Sequence, residues 1–197
     1  MMSKLITLAI ASIGLASFAG ADVAQQGGPN ATSQAPGSTP STVAYTQPTS
    51  IDAAVLAKLH QTNQNEINAG HLAQSNSQSP AVKQYGEKLV QDHQQADQKV
   101  QQIASQLKVN LEAPAEAKVA DQKHEAMLND LKTLSGPAFD KKFSKAMLTD
   151  HEHDIAALEK KQSQLPANDP VRQLIAELLP TLKQHEQIAK NLTAKSS

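Results

Sequence analysis

The pairs Asp92-His93 and Asp150-His151 stand 58 residues apart, each inside a segment of helical periodicity. A neutral imidazole nitrogen and a carboxylate oxygen both bind zinc, iron, manganese or copper. Two more residues of these types fall on apolar helical stripes, Glu66 and His185. Adjacent helical residues point about 100° apart. Asp92 and Asp150 therefore need not ligate the ion their neighbours would hold. They suit outer acceptors that orient a ligand, or a second metal position.

For four side chains on different helices to meet, they must lie at one height. Glu66 is 12 residues before the turn at 78–79, and His93 is 14 after it. His151 is 14 residues after Pro137, and His185 is 15 after Pro170. With a rise of about 1.5 Å per residue, the four fall within one or two turns of a common layer if the helices alternate in direction. The expected metal site is thus Glu66, His93, His151 and His185. A single histidine on an apolar stripe is more often a hydrogen-bonded core residue than a ligand. A buried network of these same residues, fixing helix register without activity, is the competing reading. His60, His71, His124 and His153 lie off the stripes and read as surface or boundary residues.

The elements that must position this layer are helices. The spacing predicts them over about 51–76, 80–108, 115–134, 137–163 and 170–193, with Ser50, Ser79 and Asp169 as caps and Pro80 in a first turn. Val82, Tyr85, Leu89, His93, Ala96, Val100, Ile103 and Leu107 form the clearest stripe. The second and fourth helices look like copies: Tyr85 pairs with Phe143, Leu89 with Met147 and Leu107 with Leu165, all at an offset of 58. No strand pattern is present. Two helical hairpins joined by a crossover give an all-α, ferritin-like four-helix bundle with an additional short crossover helix, over residues 50–194. Helix 3 must carry the chain back along the bundle.

Ahead of this domain, residues 1–21 read as an export signal. Lys4 precedes an apolar stretch ending near Phe18, and Ala19-Gly20-Ala21 has the small-x-small form of a cleavage site. The stretch is short for a spanning helix, which needs about 20 residues. Residues 22–49, rich in Gly, Pro, Ser and Thr, read as a flexible tether. The expected destination is the periplasm, with secretion or envelope association as alternatives, and no transmembrane span is expected in the mature chain. A formal net charge of −1 and the lack of basic runs argue against nucleic acid as a partner. The absence of cysteine excludes disulfides, thiolate metal sites and cysteine nucleophiles.

The stretches NEINAGHLA (65–73), VKQYGEKLVQDH (82–93), FDKKFSKAMLTDH (139–151) and LLPTLKQHEQIA (178–189) together resemble the bacterial exported family called domain of unknown function 4142. Its members are often labelled outer-membrane proteins. The resemblance spans about residues 51–193 and implies a ferritin-like bundle rather than a barrel. It marks Glu66, Asp92, His93, Phe139, Asp140, Asp150, His151, Pro180 and His185 as recurrent positions, and implies no settled activity. From its place in the chain, Phe139 is expected to plug the bundle end. Asp140 is expected in the first turn of its helix, where a carboxylate gains from the helix dipole. Both are read as structural.

The leading functional expectation is a periplasmic protein binding a transition metal through core His and Glu, in envelope stress or metal handling. A non-catalytic structural or interaction module with a buried polar network is the first alternative. A metal-dependent oxidoreductase acting on oxygen or peroxide is the second. The missing Glu-x-x-His pairs of bundle diiron proteins count against it. The amphipathic helices allow a homo-oligomer, and no protein partner is identified.

Overall fold

The computed structural model describes residues 50–112 and 118–195. The expected export signal and tether lie outside the described residues. Five helices are present among those residues, with no strand: α1 Ser50–Asn76, α2 Pro80–Leu107, α3 Lys118–Lys132, α4 Gly136–Gln164 and α5 Pro170–Lys195. None is long and apolar enough to cross a membrane.

The helix ends follow from local chemistry. The Ser79 hydroxyl accepts from the Val82 amide, and Pro80 follows in the first turn, where its missing N–H is not needed. At the far end of α2, Lys108 turns into the left-handed region at φ 55°, closing the helix. Asp169 Oδ1 accepts from the Val171 amide at 2.8 Å and the Arg172 amide at 3.2 Å, capping α5. Gly136 opens α4 at φ 56°, a conformation that favours glycine. Asp140 is consequently the fifth residue of α4, beyond the expected first turn. It works through a different contact, accepting a hydrogen bond from the Ser77 hydroxyl in the α1–α2 turn. Asn76 Nδ2 donates to the Leu134 carbonyl at 3.0 Å, so the same turn also holds the end of α3. Phe139 is fully buried and stacks on Phe143 at 5.4 Å between ring centroids. Pro180 lies inside α5 on its exposed side. It deprives the Ala176 carbonyl of its in-helix donor, five residues before His185.

α1 packs along α2 and α4 along α5, and the two hairpins meet more sparsely. α1 and α2 approach closely at Gly70 and Gly86. A Cβ built on Gly70 would sit 2.5 Å from the Gly86 carbonyl oxygen, so neither position has room for a side chain. Leu128 and Leu131 of α3 join the apolar cluster at the α1–α2 turn. α3 therefore brings the chain back to that end, and α2 and α4 run in the same direction, the ferritin-like organisation.

The core is two apolar clusters. One gathers Leu56, Leu59, Val100, Leu158, Val171 and Ile175. The other gathers Ala73, Leu89, Leu131, Phe139, Phe143 and Leu192. Between them, at mid-height on four helices, lie the buried polar residues Asn63, Glu66, His93, Asp97, His151 and His185. An apolar cluster thus lies above and below these polar residues.

Candidate metal centre

His93, His151 and His185 are each at most 2% exposed, and one ring nitrogen from each lies within 4.8 Å of the other two. Among the described residues this is the single group of metal-ligating type so arranged. Their rings pack at centroid separations of 5.2 to 5.9 Å.

The outer nitrogens set the protonation of the inner ones. His151 Nδ1 lies 2.9 Å from the Met147 carbonyl oxygen, which only accepts, so Nδ1 carries the hydrogen and Nε2 is a lone pair. His185 Nε2 lies 2.8 Å from Asp92 Oδ2. Burial pushes the Asp92 carboxyl up, but Lys88 and His185 outweigh it and hold it below the usual range. As a carboxylate it accepts, so His185 Nε2 carries the hydrogen and Nδ1 is a lone pair. His93 Nδ1 donates to Asn63 Oδ1 at 2.9 Å, leaving Nε2 buried and without a hydrogen-bond partner.

Each of the three histidines thus has one ring nitrogen without a hydrogen. His151 Nε2 and His185 Nδ1 face each other at 3.2 Å with no hydrogen between them in this tautomeric arrangement. That separation is close to the edge expected between two nitrogens about 2.1 Å from one ion. Burial also favours the ligating form. It drives His93 well below the ordinary value, with the neighbouring His185 and His151 adding to the effect. It drives His151 down to about 4. His185 is lowered by burial too, with Asp92 opposing. Burial thus favours the neutral form of all three.

Glu66 does not join this group. The α1 residue that reaches His93 is Asn63, three positions earlier and so about 60° away around the helix. Glu66 instead lines a recess with Asp150, Asp154 and His124. Burial, then Asp150 and Asp154, hold its carboxyl well above the usual range. Asp150 belongs to the same recess, its carboxyl pushed up to about 6 by burial and Asp154 against His153 and Lys58. Of the two aspartates read as outer acceptors or a second metal position, Asp92 hydrogen-bonds His185 and Asp150 bonds to none of the three histidines.

Two features escaped the sequence reading. Asn63 orients His93; its place on the same stripe as Leu59 was the available signal. A second cluster lies four residues beyond His93, where the buried Asp97 accepts from the half-buried His60 at 2.6 Å and from the exposed Gln64 at 2.9 Å and Gln101 at 2.7 Å. In addition, a cavity of about 260 Å³ runs between the two hairpins. Its wall includes Leu59, Ala96, Ala157 and Leu178, and it reaches His93 and His185.

No curated protein and no solved structure matches the chain. A family model described as a domain of unknown function, DUF4142, matches residues 37–192. The chain belongs to the DUF4142 family.

Proposed function

We propose that the domain binds one transition-metal ion at the middle of the bundle through His93 Nε2, His151 Nε2 and His185 Nδ1, and serves the bacterial envelope as a metal-handling or metal-dependent protein. The observation that carries this reading is the convergence of three buried lone pairs, each fixed by an acceptor on the opposite ring nitrogen. Outer acceptors of this kind typically orient histidine ligands and raise their basicity. A set of three imidazoles suits zinc or copper best, with iron next. The cavity against His93 and His185 gives an exchangeable ligand a route to the ion, as an open coordination position requires.

A purely structural network is less favourable. It would need a donor between His151 and His185, and their outer partners have already claimed both hydrogens. The oxygen- or peroxide-handling alternative gains no support here, since no carboxylate joins the three imidazoles among the described residues.

Elemental analysis of the untagged protein, loaded in turn with zinc, copper, manganese and iron and then desalted, tests this. One zinc or copper ion per chain is expected. A His93→Ala/His151→Ala variant should retain none while keeping its helical circular dichroism. Failure of the parent to retain any of the four metals would overturn the proposal.

A further inference from the structure

We infer that the recess formed by Glu66, Asp150 and Asp154 is a second cation site, distinct from the three histidines, for a hard divalent ion of the Mn²⁺ or Mg²⁺ class. Glu66 is 2% exposed, and its Oε2 is buried and accepts no hydrogen bond. Asp150 Oδ2 is likewise buried without a hydrogen bond. Both residues line the same recess, with Asp154 beside them. Two buried carboxylate oxygens that line one recess and accept no hydrogen bond are what a cation would satisfy, because each has lost water without gaining a hydrogen-bond donor.

The donors decide the class of ion. Around the three carboxylates stand the Asn65 amide, the Thr62 hydroxyl and the imidazoles of His124 and His153, so oxygen predominates among the possible ligands. Oxygen sets of mixed charge suit Mg²⁺, Mn²⁺ or Ca²⁺, whereas imidazole sets suit zinc and copper. The recess has a volume of about 100 Å³. That is room for an ion and two or three of its waters, at roughly 30 Å³ per water, and Mg²⁺-like ions usually keep several waters. Lys58, on the recess wall, is exposed, and its charge only partly offsets the burial that raises the Asp150 and Asp154 carboxyls. His124, on α3, approaches Asp150 Oδ2 at 3.8 Å, so the crossover helix forms one side of the site.

The two sites share α4 but face differently. Asp150 and His151 are neighbours in sequence, about 100° apart around the helix, so one turns to the recess and the other to the histidine group. Nothing in the second site depends on the first holding a metal.

The probe is Mn²⁺, titrated into the full chain while the electron paramagnetic resonance signal of the free aquo ion is followed. Binding is expected in the parent and in a His93→Ala/His185→Ala variant that lacks the imidazole set. Glu66→Gln, which keeps the shape of the buried side chain, is expected to weaken Mn²⁺ at least tenfold without changing the zinc or copper content of the histidine site. Paramagnetic broadening of the Asn65 and Asp154 amides in the parent, absent in Glu66→Gln, would locate the ion even if the double variant does not fold. Unchanged Mn²⁺ affinity in Glu66→Gln, broadening centred on His93, or no Mn²⁺ binding at millimolar concentration would each overturn the inference. Loss of zinc or copper from the histidine site in the parent would refute the reading above and leave this one standing.

Discussion

Two clusters of histidine and carboxylate lie about one turn apart on α2, and they are built on opposite plans. Around Asp97 the donors and acceptors match: His60 meets Oδ1, and Gln64 and Gln101 meet Oδ2. Around His93 they match only on the outside. Asn63, Met147 and Asp92 take up the outer ring nitrogens, and the inner three have lone pairs and no hydrogen to share. The first arrangement satisfies itself, as a structural network must. The second leaves a concentration of electron pairs that a cation completes. Burial of a polar residue is therefore a poor guide to function by itself, and the direction of each unmet hydrogen-bond requirement is the better one.

That contrast can be broken in several ways. The largest effect is expected from His151→Ala, which removes one of three ligands. Affinity for zinc or copper should fall by well over the roughly 100-fold seen for outer partners, measured by competition with a chelating dye. An affinity within tenfold of the parent would dissolve the distinction between the clusters. Asp97→Ala should behave conversely. Its donors can turn to water, so unfolding stability is expected to fall by only about 1 kcal/mol in urea, with metal affinity unchanged. Asp92→Asn is a finer test. The amide can still occupy the place beside His185 Nε2, but without charge, and a loss of about 10- to 100-fold in metal affinity is expected.

The smallest effect concerns pH in the metal-free protein. His151 is held down at about 4 against 6.5 when unfolded, so its contribution is fully present above pH 6.5 and is lost as pH falls from 6.5 towards 4. Asp150 is raised from 3.8 to about 6, so its contribution has the opposite sign and is lost as pH rises from 3.8 to 6. The two partly cancel. An Asp150→Asn variant should therefore lose stability more steeply than the parent between pH 6.5 and 5, in urea titrations at a series of pH values. An identical slope in the two proteins would show that the recess does not oppose the histidines.

Much of this was legible before the structure. Helix periods, the Ser79 and Asp169 caps and the breaks at Pro80 and Pro170 gave the element boundaries to within a few residues. A fixed rise per residue then placed His93, His151 and His185 at one height, because height depends only on counting from the turns. What counting cannot supply is rotation. Asn63 and Glu66 both lie on the broad inner stripe of α1, and the close approach of α1 and α2 at Gly70 and Gly86 decides which one meets His93. Asp97 was passed over for a related reason. An aspartate reads as a surface residue until its donors are known, and two of them come from another helix, from His60 and Gln64. Asp140 falls just past the first turn because the helix opens one residue earlier than the Pro137 signal implies.

The most direct test of the central claim is X-ray absorption spectroscopy of the zinc-loaded protein. Three nitrogen donors at about 2.0–2.1 Å, with the outer-shell scattering of three imidazole rings reduced to two in His185→Ala, are the result expected. A first shell of oxygen alone, or an imidazole count that His185→Ala leaves unchanged, would show that the three histidines do not hold the ion.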